Sequence, residues 1–259
     1  MREVFVVGAG MTQFGRHNDK STADLGLEAM LASLKDAGLS IQDIQMIYCG
    51  HVHQGTTLGQ RILGQIGYTG IPVINVENAC ASGSTAFRLA YQSVAGGFCD
   101  IAMAVGAEKM PRGIIDVGEK DNPDRAMGML GLPVKYALLA RKYMHDYGLS
   151  RELMARVAVK NHQNGCLNPN AQHKKVLTVE EILNSRMISD PLTLFQCCPT
   201  SDGAAAVIIV AQDLLSRFDA SVALREDGES FAHKIRNLNH VNILYPEIFK
   251  TRLVLLNGS

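Results

Sequence analysis

The run Asn75-Val76-Glu77-Asn78-Ala79-Cys80-Ala81-Ser82-Gly83-Ser84-Thr85-Ala86 is where a strand ends and a helix begins. Val73 to Val76 reads as a short strand and Ala81 to Val94 as a helix. That places Cys80 near a helix N-terminus, where backbone N–H groups and the helix dipole favour a thiolate. Its neighbours Ala79, Ala81, Ser82 and Gly83 are small and leave room for a substrate carbonyl. The competing reading is a buried structural cysteine, which is a common fate for this residue type.

Working outward, the same alternation repeats. Val4 to Val7 is a continuous apolar run of the kind expected of a strand covered on both faces. A helix capped by Ser21 or Thr22 follows, with Leu27, Met30, Leu31 and Leu34 on one face and Gly38 as its stop. Met46 to Val52 and Ile101 to Val105 read as strands, and Leu58 to Ile66 as helix. Strand and helix in alternation predict an α/β fold with a mostly parallel, helix-covered sheet. The Ala81–Val94 helix is small or apolar on nearly every side, so it is expected to be buried all round. Beyond Met110 the texture changes. Pro133 to Tyr147, Ser150 to Asn161 and Thr178 to Asn184 read as helices, the last opening on a capping box, Thr178-Val179-Glu180-Glu181. Pro111 to Pro199 therefore reads as a helical loop insertion, after which Ala204 to Val210 returns to the sheet.

Composition narrows the class. The chain has 259 residues, of which 47% are hydrophobic and 19% charged, enough for a real core. With 25 basic and 25 acidic side chains, the balance argues against nucleic acid or an anionic membrane as partner and favours a small molecule. The longest apolar stretch, Ala204 to Ala211, is too short for membrane insertion, which needs about 20 residues. The opening residues show no signal-peptide core and the final four no peroxisomal address, so the expected location is cytoplasmic. Six cysteines without a secretion signal read as free thiols.

Three other patterns carry less. Gly8-Ala9-Gly10 follows the first strand, but the third glycine of a dinucleotide fingerprint is replaced by Gln13. Cys49, His51 and His53 alternate and would share one face of a strand, yet a closed zinc site wants a fourth ligand and no paired motif supplies one. No metal is expected. The vicinal pair Cys197-Cys198 makes no recognised chelate.

Four segments in order resemble the thiolases, and within them the sterol-carrier-type acyl-CoA thiolases. They are Val6-Val7-Gly8-Ala9-Gly10-Met11-Thr12, Gly59-Gln60-Arg61, Asn78-Ala79-Cys80-Ala81-Ser82-Gly83-Ser84, and Cys197-Cys198-Pro199-Thr200-Ser201-Asp202-Gly203-Ala204-Ala205-Ala206. The resemblance covers residues 1–213 and implies the N-terminal half of the five-layered thiolase fold, with a loop insertion at about 111–199. It implies that Cys80 is the acyl-accepting nucleophile, that coenzyme A is a substrate, and that no cofactor is bound permanently. The implied reaction is acyl transfer through a cysteine thioester, in thiolytic cleavage or Claisen condensation of a 3-ketoacyl-CoA. Full thiolases dimerise through the strand before the nucleophile, which makes Val73 to Glu77 the expected two-fold edge.

In the family, the activating histidines and an acid/base cysteine lie in a second half. After Asp213 there is no second Val-Val-Gly-x-Gly, no His-Asp-x-Phe and no Gly-His-Pro, and Cys198 is the last cysteine. Residues 214–259 match nothing in the family, and no role carries over to His233 or His240. The expectation is a truncated enzyme, weak or inactive alone. A half-enzyme completed by a second subunit and a non-catalytic acyl-CoA- or lipid-binding protein are the alternatives of other classes. A β-ketoacyl-synthase-like condensing enzyme is the nearest alternative chemistry, and a redox thiol protein the non-enzymatic one.

Overall fold

A computed structural model describes residues 2–113, 123–127, 131–217 and 233–234. They divide between two compact units, the first comprising Met1–Thr12, Lys20–Ala107 and Ala204–Ser259, the second Gln13–Asp19 and Glu108–Gly203.

The first unit is a mixed, mostly parallel sheet with helices on both faces. Its elements are β1 (Val4–Met11), α1 (Thr22–Ala37), β2 (Met46–Gly50), α2 (Leu58–Leu63), β3 (Val73–Val76), α3 (Ser82–Ala95) and β4 (Ile101–Lys109). After the elements of the second unit the chain returns as β7 (Asp202–Ala211), and β8 (His233–Lys234) closes the sheet. The strand order is β3-β2-β4-β7-β1-β8. β2 pairs in parallel with β3 and β4, while β1 runs antiparallel to β7.

The two faces follow from the two-residue period of a strand. Along β4, Ile101, Met103, Val105 and Ala107 enter the core shared with α1 and α2, whereas Ala102 and Ala104 face α3. α1 begins where Ser21 accepts the Asp24 amide and Asp24 accepts that of Ser21, a reciprocal cap at 3.1 and 2.7 Å. It ends on Gly38 at φ +65°. The glycines that imitate a nucleotide motif serve packing instead. A Cβ on Gly8 would lie 2.5 Å from the Ser33 carbonyl oxygen, and one on Gly10 would lie 2.5 Å from both the Ala29 oxygen and the Ser33 nitrogen. β1 can bring α1 this close only without side chains there.

α3 departs from the sequence expectation. It buries Ala86, Phe87, Ala90 and Val94 against the sheet, but Ser84, Arg88 and Gln92 are exposed. Four-residue spacing puts these three on one polar outward stripe. The helix is thus amphipathic rather than buried all round. Arg88 and Gln92 were the stripe's signal in the sequence, outweighed there by the small and apolar residues that fill the rest of the helix.

The second unit holds α4 (Pro123–Ala126), α5 (Leu132–Tyr147), α6 (Arg151–Leu167), α7 (Val179–Leu183) and a small hairpin of β5 (Met187–Ser189) and β6 (Leu192–Thr193). Its core is modest, built on Ala155, Ala158, Leu177 and Ile182. Thr178 and Glu181 form the reciprocal cap expected of α7. Of the tail expected to be irregular, a 3-10 turn through Arg217 and the backbone pairing of His233–Lys234 with Phe5 and Val6 are described. The remainder of that expectation, His240 included, lies outside the described residues. Among the described residues no helix is long and apolar enough to cross a membrane.

Candidate functional site

Cys80 sits in the turn between β3 and α3 and is exposed. The turn is built by its own side chains. Asn78 donates its amide to Ser82 Oγ at 2.8 Å, and that hydroxyl donates to the Ala79 carbonyl at 2.7 Å. The Asn78 side chain reaches Thr85 Oγ1 at 2.9 Å, tying the turn to the first turn of the helix. Ala79 itself has φ +45°, a left-handed conformation that costs a residue bearing a Cβ about 1–2 kcal/mol. Its amide donates to Glu77 Oε1 at 2.6 Å.

Two strands bring the helix start close. A Cβ on Gly50, the last residue of β2, would fall 2.4 Å from the Ser82 carbonyl oxygen, and Gly106 of β4 lies against the Gly83 Cα. The open end of the parallel strands and the N-terminus of α3 therefore converge on one place, with Cys80 at its rim. In open α/β sheets this is where ligands are received.

The Gly59-Gln60-Arg61 segment braces the neighbouring strand. Gly59 donates its amide to Asn75 Oδ1 at 2.8 Å, and Asn75 donates to Gln60 Oε1 at 2.6 Å. β3 is held from one side in this way and forms the edge of the sheet, with Ile74 43% exposed.

The other cysteines differ in kind. Cys49 is wholly buried in β2, and burial pushes its thiol up to about 12, with the Arg61 charge pulling weakly the other way. Burial likewise raises Cys99, helped by the neighbouring Asp100 carboxylate, and Cys197, helped by Cys198. All six cysteines are free thiols. Cys49, His51 and His53 do not assemble a ligand set, since β2 ends at Gly50 and turns Cys49 into the core. Among the described residues no three His, Cys, Asp or Glu side chains gather to hold a metal ion.

In the second unit, the segment after Cys197-Cys198-Pro199 leads into a buried carboxylate that the sequence did not single out. Asp202, 3% exposed, accepts the amides of His17 and Met110 at 3.1 and 3.2 Å and pairs with Arg16 at 3.2 Å. Its backbone also bonds in both directions to Gly15. One aspartate thus fastens the 13–19 loop to the residue after β4. The signal for it was faint: an acid immediately before an apolar strand, where burial without partners would be costly.

A model of the thiolase N-terminal domain matches residues 4–213. The chain belongs to the thiolase family. Its sheet, with α1 and α2 on one face and α3 on the other, is the N-terminal half of the thiolase fold. The chain is 40% identical to sterol carrier protein 2 of Gallus gallus over 232 residues, covering 83% of this chain and 42% of that protein. It is 39% identical to an acetyl-CoA acetyltransferase of Methanothermobacter thermautotrophicus over 241 residues, covering 89% of this chain and 63% of that one. Among solved structures, human mitochondrial 3-ketoacyl-CoA thiolase in complex with CoA aligns with a TM-score of 0.65 at 20% identity, over 83% of this chain and 66% of that one. The chain thus spans between two fifths and two thirds of the length of these thiolase relatives.

Proposed function

We propose that this thiolase chain carries the nucleophile-bearing half of an acyl-CoA acyltransferase, with Cys80 as the acyl acceptor. The observation that carries the reading is an exposed cysteine at the head of α3, inside a stretch that matches the thiolase N-terminal domain. The Cys80 sulfur attacks the thioester carbonyl of an acyl-CoA, and the amides opening α3 steady the tetrahedral oxyanion. The carbon–sulfur bond to CoA then breaks, CoA leaves as its thiol, and the acyl group remains on Cys80. No permanent cofactor takes part. The activating histidines that the family resemblance assigns to a second half are not among the matched residues, and general-base help is typically worth about 10²–10⁴-fold. Acylation without that help is slower by this factor. A second subunit could supply that half.

Intact mass spectrometry after incubation with acetyl-CoA and longer acyl-CoAs tests the reading. The expected result is a single acyl adduct that is absent in Cys80→Ala. No adduct with any acyl-CoA, or the same adduct in Cys80→Ala, overturns it.

The exposed edge strand supports a homodimer through Val73 to Glu77, since an unpaired strand edge offers a second copy a ready partner. Light scattering at high protein concentration should return twice the chain mass. A monomer there defeats the assignment.

A further inference from the structure

We propose that Glu77 is a positioning residue for Cys80, acting as a carboxylate clamp that holds Ala79 in its left-handed conformation. The proposal rests on the reading of Cys80 as the acyl acceptor. It concerns a residue that the acyl-transfer chemistry above does not use, and that also ends the segment proposed as the dimer edge.

Two peptide planes determine the conformation of Ala79. The plane between Ala79 and Cys80 is fixed through the Ala79 carbonyl, which accepts from the Ser82 hydroxyl at 2.7 Å and the Ser82 amide at 3.1 Å. The plane between Asn78 and Ala79 is fixed at its oxygen by the Ala81 amide at 2.9 Å and at its N–H by Glu77 Oε1 at 2.6 Å. Together the planes set the Ala79 torsions, including φ +45°. Glycine would adopt that torsion freely; alanine does so only when its surroundings impose it. Of the groups that impose it here, Glu77 contributes the charged one, and a hydrogen bond to an ionised acceptor is among the stronger kinds. Glu77 is exposed, as are Asn78, Ala79, Cys80 and Ala81. The turn therefore has little packing to hold its shape and depends on these bonds. Without the clamp, Ala79 relaxes toward an unstrained conformation and Cys80 leaves the head of α3.

The clamp makes a specific demand on four variants. In Glu77→Ala the Ala79 amide should exchange with solvent about 10-fold faster, and acylation of Cys80 by acetyl-CoA should slow by about 3- to 10-fold. Glu77→Gln keeps an acceptor oxygen and should retain most of the wild-type rate. Adding Ala79→Gly to Glu77→Ala should restore acylation, because glycine needs no clamp to reach positive φ. Ala79→Gly alone is the reference against which the double variant is read, since the two differ only in the Glu77 carboxylate. Light scattering on each variant keeps the oligomeric state matched, and circular dichroism checks the fold.

Recovery by both Glu77→Gln and the glycine double variant supports the clamp. Unchanged Ala79 exchange in Glu77→Ala overturns it, as does slowed acylation that neither change rescues. If the wild type forms no acyl adduct, the acyl-transfer reading fails by itself. Faster Ala79 exchange in Glu77→Ala, reversed in Glu77→Gln, would then still support the clamp.

Discussion

Cys49 and Cys80 occupy neighbouring ends of the same layer and have opposite fates. Cys49 lies one residue before the end of β2, between Asn75 of β3 and Val105 of β4, with no exposed surface. Cys80 lies past the end of β3, in a turn whose residues from Glu77 to Ala81 are all exposed. One thiol is a small core hydrophobe and the other is presented to solvent. A cysteine's chemistry is therefore set by whether the strand continues through it or has already turned toward a helix.

The largest consequence is at alkaline pH. Burial raises Cys49 from 9.0 to about 12, so the native state holds this proton more tightly than the unfolded chain does. Its contribution to stability is whole below pH 9.0, declines as pH rises toward about 12, and is gone above that. Over the full window this amounts to about 4 kcal/mol. Urea unfolding at a series of pH values should show a falling alkaline limb that flattens in Cys49→Ala. At a fixed mildly alkaline pH, iodoacetamide should label Cys80 and spare Cys49, because the shift lowers the Cys49 thiolate fraction by about 10³-fold. Equal labelling of the two thiols would erase the distinction between them.

The next effect concerns the contact that keeps the two places in register. The Cβ of Gly50→Ala would meet Ser82 and Gly83 backbone at 2.4 to 2.7 Å, and backbone cannot swing aside as a side-chain tip can. A loss of about 2–3 kcal/mol in unfolding free energy, measured by denaturant titration, is expected. Gly83→Ala is the matched control, since a Cβ there meets nothing within 4 Å. Equal losses in both would mean that the close approach of β2 to α3 is not what limits position 50.

Much of each unit was legible in the sequence for a local reason. Ser21, one of two adjacent candidate caps, Thr178 with Glu181, and Gly38 after α1 are signals carried within a few residues, and the structure uses each as a cap or stop. The Cys80 turn was legible as a change of period. What was not legible depends on contacts distant in sequence. Gly8 and Gly10 imitated a nucleotide loop, and only the approach of Ser33 explains them. Asp202 became a hub because Arg16, His17 and Met110 come to it from far along the chain. The polar stripe of α3 was outweighed by small and apolar residues, and the role of Glu77 depends on the torsion of Ala79, which no composition reveals.

The smallest effect is expected at Ser82, and it separates the two cysteines most cleanly. Ser82 is 4% exposed, and its hydroxyl both accepts the Asn78 amide and donates to the Ala79 carbonyl. Ser82→Ala removes an acceptor from an exposed residue and a donor from a carbonyl that keeps the Ser82 amide. Water can replace part of each bond, so the cost should be about 1 kcal/mol rather than that of two buried unpaired groups. The turn should loosen while β2 stays in place. Labelling of Cys80 should change and that of Cys49 should not, with only a slight fall in the unfolding midpoint. If Cys49 becomes reactive as well, the turn and the strand end form one cooperative unit, and the local account of Cys80 must give way to one in which the whole layer presents it.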